Sequence, residues 1–197
     1  ALNKEPSRSA AFFATEEAVS ADVPIVIDLD FRADQWHDPR AFGITTRAVL
    51  PRAKIAIGTE EEILATVLND PEQITIKHQQ ISAPKIKGNI NKGIQTILDL
   101  GVEVLIVKRG SEGCSIFEKG KKEIIVPGFP VEILNILGAG DAFASGFIYG
   151  YLKGWDSYKA ARMGNACGAI VVTRKGCANF MPYEVEVMQF IESKGGF

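Results

Sequence analysis

The chain has 197 residues, 46% hydrophobic and 23% charged, which is the length of one ordinary α/β domain and apolar enough to build a core, so a disordered chain is excluded. Lysine plus arginine number 22 against 24 aspartates plus glutamates, a formal charge of -2, which lacks the basic excess of many nucleic-acid binders and leaves anion binding to a local site. Cys114, Cys167 and Cys177 are far apart and form no CxxC pair, arguing against a disulfide framework or zinc site and for a reducing, cytoplasmic setting. No apolar run approaches the roughly 18 residues of a membrane span, and Ala1-Leu-Asn-Lys-Glu-Pro6 has no signal-peptide pattern. A soluble chain without nucleic-acid or membrane partners is expected.

Ser9 to Ser20 is alanine-rich, with Phe12, Phe13 and Val19 spaced as one helical face. It leads into Val23-Pro-Ile-Val-Ile-Asp-Leu-Asp30, whose β-branched run without alternation predicts a strand buried on both faces. Lys54-Ile-Ala-Ile-Gly58 predicts a second strand, and Thr59 with Glu62 three residues on predicts a capping box opening a helix. Ile90, Ile94, Ile97 and Leu98 lie at helical spacing between Gly88 and Leu100, with Gly101 as the C-terminal cap before a strand over 102–107. Three such units predict an α/β fold with a mostly parallel, doubly wound central sheet flanked by helices. After the Gly110 turn, 114–117 and 123–126 read as two strands joined by a solvated basic turn, Lys119-Gly-Lys-Lys122. From Ala139 the pattern becomes helical, through Phe143, Phe147 and Tyr151, then over 158–172 and 183–193.

The chemistry centres on Leu137-Gly-Ala-Gly-Asp-Ala-Phe143. Small residues at a helix start, Gly138, Ala139 and Gly140, let main-chain N–H groups approach an anion that the helix dipole favours. Asp141 in the first turn is placed either to take a proton from an attacking hydroxyl or merely to complement the dipole. A GxxxxGK[ST] phosphate loop is absent here, and Phe143 stands where the dinucleotide fingerprint needs a third glycine. His37 and His78 have no spaced acidic or cysteine partners, which argues against metal or triad roles.

Asn135-Ile-Leu-Gly-Ala-Gly-Asp-Ala-Phe-Ala-Ser-Gly-Phe147 resembles the C-terminal signature of the ribokinase-like (PfkB) carbohydrate kinases, D-T-x-G-A-G-D-x-F-x-x-G-F. Further pieces fall in family order. Asp28-Leu-Asp-Phe-Arg-Ala-Asp-Gln-Trp36 is similar to the D-x-N-x-R-x-x-x-W segment, Val107-Lys-Arg-Gly-Ser-Glu-Gly113 to the nucleotide-side glycine turn, and 165–176 to the helix and loop lining the adenine pocket. Residues 1–197 are thereby expected to be a C-terminal nucleotide-binding and catalytic portion, with the family's N-terminal strands and lid absent. The piece is then expected to form a homo-oligomer or to associate with the missing N-terminal portion, since exposed strand edges seek partners.

The resemblance implies ATP and magnesium as cofactors and a sugar or acid sugar as substrate. The members most similar phosphorylate the 6-hydroxyl of an acid sugar in inositol catabolism, with kinases of fructose or 2-keto-3-deoxygluconate as alternatives and a non-catalytic nucleotide-binding module as the competing class. By the same resemblance Asp141 is the catalytic base, and the N–H groups of Ala139, Gly140 and Asp141 the anion hole. Lys108, Gly110, Gly113 and Asn165 line the nucleotide. Glu61, in a variant of the family's N-x-x-E motif reading Gly58-Thr-Glu-Glu61, helps hold magnesium, or is a plain surface acid. Arg32 meets the carboxylate of an acid sugar, or pairs with Asp28, Asp30 or Asp34. Trp36 is read as packing. Arg174-Lys-Gly176 forms part of a monovalent-cation loop, although Asn135 replaces the motif's aspartate and removes a negative ligand.

Overall fold

The computed structural model describes residues 1–75 and 84–197, so His78 lies outside the described residues. It resolves into two units, Ala1–Val107 with Phe117–Lys122, and Lys108–Ile116 with Glu123–Phe197.

In the first unit, helix α1 (Ser7–Ser20) precedes strand β1 (Val26–Asp28). Neither is as buried as the sequence suggests. No residue of α1 is fully buried, Phe12 being half-buried and Phe13 and Val19 more than half exposed, so the expected apolar face is only partly covered. The run from Val23 condenses to a three-residue strand without a fully buried residue. Among the described residues β1 stands at the edge of the sheet, first in its order. It pairs in parallel with β2 (Ile55–Thr59), Val26 opposite Ile55, and β2 is buried from Ile55 to Gly58.

Helix α2 (Pro39–Val49) lies between them. Asp38 caps it by accepting from the Arg40 N–H at 2.9 Å, and Pro39 occupies the first turn, where its missing N–H costs nothing. Helix α3 (Glu60–Thr66) opens with the expected box: the Glu62 carboxylate accepts from the Thr59 N–H at 2.6 Å while the Thr59 hydroxyl accepts from the Glu62 N–H at 3.3 Å. Short strands β3 (Ile74–Thr75) and β4 (Lys85–Ile86) pair antiparallel as a separate ribbon. Helix α4 (Ile90–Asp99) buries Ile94, Ile97 and Leu98, with Gly101 at φ +113 just beyond its end, and strand β5 (Val104–Lys108) follows. Phe42, Leu50, Ile63, Ile97 and Leu105 meet in this unit's core. The basic turn after the next strand is solvated as expected, Lys121 pairing with Glu118 and Lys119 with Asp99.

In the second unit, strands β6 (Gly113–Glu118, of which Phe117 and Glu118 fall in the first unit) and β7 (Ile124–Pro127) pair antiparallel, Cys114 opposite Val126. The main sheet runs β1-β2-β5-β6-β7 and is mixed, because the β6–β7 hairpin reverses direction. Helices α5 (Ala139–Leu152), α6 (Ser157–Val172) and α7 (Glu184–Ser193) complete the unit. α5 lies very close to α6, because small residues face each other. A Cβ on Gly146 would come within 2.7 Å of the Cys167 sulfur, one on Gly150 within 2.8 Å of the Ala160 Cα, and one on Gly164 within 2.8 Å of the Phe143 carbonyl. Arg162, 7% exposed, stacks 3.8 Å over the Phe129 ring and donates to the carbonyls of Pro127 at 2.8 Å and Gly196 at 3.2 Å.

Thr59→Ala removes one half of the α3 box and is expected to lower unfolding stability by about 1 kcal/mol in denaturant titration. Burial pushes the thiols of Cys114 and Cys167 up to about 12, whereas Cys177 is half-buried. A thiol reagent at pH 8 should therefore modify Cys177 in the native protein and the other two only after unfolding; rapid native reaction at all three would contradict this packing.

Candidate active site

The chain enters α5 through a loop pinned from behind. The N–H groups of Leu134 and Asn135 both donate to the Val172 carbonyl, at 2.8 and 3.0 Å, and the Asn135 side-chain oxygen accepts from the Leu137 N–H at 3.0 Å. Gly138 then adopts φ +81, a left-handed conformation that a side chain would strain. The space beside it is filled: the Cys177 sulfur lies 2.7 Å from where a Gly138 Cβ would stand.

This geometry fixes the first turn of α5. The Ala139 N–H donates to the Ile136 carbonyl at 3.3 Å and the Ala142 N–H to the Gly138 carbonyl at 2.9 Å. Between them, the N–H groups of Gly140 and Asp141 find no main-chain acceptor among the described residues. Two of the three N–H groups expected to form an anion hole are thus open, and the third carries a long bond. Asp141 is exposed in the same turn, its carbonyl accepting from the Ser145 hydroxyl at 2.8 Å. Lys108, the last residue of β5, brings its Nζ to 3.4 Å from the Cβ position of Gly140. An ammonium, a carboxylate and two helix-start donors therefore share one turn, an arrangement suited to an anion and a proton acceptor.

The other residues expected on the nucleotide side have structural tasks. Gly110, at φ +59, opens a short turn closed by the Arg109 N–H on the Gly113 carbonyl at 2.8 Å. Gly113, at φ +99, admits no Cβ, which would strike the Val126 carbonyl and the Gly128 nitrogen. Asn165 is 8% exposed, and its amide donates to the Val126 carbonyl at 3.2 Å and the Pro127 carbonyl at 3.0 Å, tying α6 to the end of β7. The Arg174 guanidinium donates to the Phe180 carbonyl at 2.8 Å and pairs with Glu186 at 2.8 Å, which fastens the 174–180 loop to α7.

Arg32 and Glu61 belong to the first unit. Arg32 Nε meets Asp30 at 3.1 Å, one of the ion pairs open to it from the sequence, and both side chains are more than half exposed. Trp36 packs edge-on against Phe42 with ring centres 5.7 Å apart. Glu61 is half-buried in the first turn of α3, beside the capping pair. Among the described residues no group of three or more His, Cys, Asp or Glu is gathered to hold a metal. Sequence reasoning passed over Cys177 as the filler behind Gly138 and the Val172 carbonyl as the loop's anchor; neither role has a sequence signal.

A pfkB family carbohydrate kinase profile matches residues 2–184. Similar relatives include the 5-dehydro-2-deoxygluconokinase of Clostridium botulinum (strain Eklund 17B / Type B), 31% identical over 194 residues that cover 98% of this chain and 53% of that protein. The protein of the same name from Geobacillus thermodenitrificans is 32% identical over 192 residues, with the same coverages. The chain thus spans about half the length of the curated relatives it matches. Among solved structures, fructokinase from Vibrio cholerae O395 superposes with a TM-score of 0.79 at 24% identity, over 96% of this chain and 57% of that one. A ribokinase II structure from E. coli superposes with a TM-score of 0.76 at 27% identity, over 93% and 53%. The fold is ribokinase-like α/β, and the chain belongs to the pfkB family of carbohydrate kinases.

Proposed function

We propose that the chain is the nucleotide-binding and catalytic portion of an ATP-dependent carbohydrate kinase acting on a sugar or acid-sugar hydroxyl, with 5-dehydro-2-deoxygluconate at its 6-hydroxyl as substrate. The observation that carries this reading is the first turn of α5, where the open N–H groups of Gly140 and Asp141 lie beside the Asp141 carboxylate. In the transfer, the acceptor oxygen bonds to the terminal phosphorus, the bond from that phosphorus to the bridging oxygen of ADP breaks, and the hydroxyl proton passes to Asp141. Charge develops on the transferring oxygens, and donors already fixed at a helix start meet it without reorganising.

The donor set suits the phosphates of ATP. Magnesium, when bound, neutralises phosphate charge, and Glu61 is the residue assigned to hold it. Arg32 is the partner assigned to the substrate carboxylate, a role in which a guanidinium makes two parallel hydrogen bonds. It would exchange Asp30 for the ligand, a modest cost for an exposed pair. The named relatives favour the acid sugar over fructose. A place in inositol catabolism in the cytoplasm follows from that substrate, and no helix among the described residues is long and apolar enough to cross a membrane.

The test is magnesium-dependent transfer from ATP to 5-dehydro-2-deoxygluconate, with fructose and 2-keto-3-deoxygluconate in competition, on this chain and on the protein at its relatives' full length. Asp141→Asn is expected to lower kcat by about 10²–10⁴-fold with little change in the KM for ATP. A folded, nucleotide-binding full-length protein that phosphorylates none of the three sugars would instead favour a non-catalytic nucleotide module or another substrate.

A further inference from the structure

We propose that Lys108 is a catalytic residue whose ammonium holds the phosphoryl group during its transfer, an inference that rests on the kinase reading above. Lys108 ends β5, and its Nζ stands 3.4 Å from the point a Gly140 Cβ would occupy. Gly140 supplies one of the two open N–H groups of the α5 turn, and Asp141 the other. The lysine is therefore aimed at the residue whose missing side chain leaves the cradle open. A Cβ at Gly140 would stand in van der Waals contact with the ammonium, so the lysine head and the glycine are immediate neighbours.

The physical need for a cation here is specific to the terminal group. An anion on the N–H groups of Gly140 and Asp141 sits beside the Asp141 carboxylate, and two negative groups at that distance repel. The repulsion grows as the acceptor hydroxyl loses its proton to Asp141 and negative charge gathers on the transferring oxygens. A fixed positive charge on the same turn offsets it where it is greatest. An ammonium suits the task, since it is a compact point charge with three donors that can follow a phosphoryl group along a line of transfer. The contact is with the group in flight, so its loss reads in turnover and in preference for a triphosphate, and much less in affinity for the diphosphate product.

The experiment compares wild type with Lys108→Met, Lys108→Gln and Lys108→Arg in the protein at its relatives' full length, after circular dichroism and melting confirm folding. Calorimetry measures binding of a non-hydrolysable ATP analogue and of ADP, and steady-state assays give kcat and KM. Lys108→Met is expected to weaken the triphosphate analogue by about tenfold and ADP by less than about twofold. It should lower kcat by about 100-fold, with Lys108→Arg recovering part of that loss. Equal weakening of both nucleotides, or an unchanged kcat, would overturn the proposal by making Lys108 a general nucleotide contact or a structural residue. If Lys108→Met does not fold, Lys108→Gln supplies the same comparison. A wild type that binds nucleotides but phosphorylates none of the three sugars defeats the substrate reading, while the contrast between triphosphate and diphosphate still decides the lysine's contact. A wild type that binds neither nucleotide overturns both.

Discussion

The second unit depends on how closely α5 and α6 approach. Gly146 and Gly150 on α5 and Gly164 on α6 leave no room for a side chain at the crossing, and interiors packed to crystal density transmit even one added methyl as displacement or strain. The same helix that backs α5 also supplies, at its C-terminal end, the Val172 carbonyl on which the Leu134 and Asn135 N–H groups converge. Helix and loop are thus fixed from one support, and the first turn of α5 cannot shift without disturbing α6. Open main-chain donors serve an anion well only when they are held still before it arrives, and here the loop anchor on Val172 and the α5–α6 packing hold the turn.

The polar anchoring follows a similar economy. Asn165 and Arg162 both direct donors at the Pro127 carbonyl, so the end of β7 is tied to α6 by two side chains. Arg162 is nearly buried, and burial lowers its proton affinity. It meets the carbonyl oxygens of Pro127 and Gly196 and the face of Phe129, which suit a planar cation without introducing a second charge. By contrast the pairs in the first unit, such as Arg32 with Asp30, are exposed and exchangeable. The polar contacts that tie α6 to the end of β7 are buried, and the Arg32 pair of the first unit is open to solvent.

Elements with a clean period were legible from the residues alone. Ile94, Ile97 and Leu98 mark α4 because its buried stripe is unbroken, and Thr59 with Glu62 announces its box because both partners lie within one turn. Helix α2 escaped because Thr46, a polar residue, occupies one of its buried positions and breaks the apolar repeat between Phe42 and Val49. The strand from Val23 was read too long, since a continuous β-branched run signals burial on both faces only when another element covers each face. In the site, Gly138, Ala139, Gly140 and Asp141 stood out as a contiguous motif. The commitment of the Asn165 amide to two carbonyls did not, because main-chain partners carry no residue code, and the approach of Lys108 to Gly140 depends on a strand and a helix meeting only after folding.

The crossing of α5 and α6 also has an evolutionary reading. Gly146 faces the Cys167 sulfur and Gly164 faces the Phe143 carbonyl and ring, so each position is constrained by its opposite rather than by its own helix. A side chain at 146 would also meet the Met163 carbonyl at 2.9 Å and the Gly164 Cα at 3.0 Å, so shrinking residue 167 alone would not make room for it. Compensation from one facing side chain is therefore closed to position 146, and a change there requires the two helix backbones to move apart.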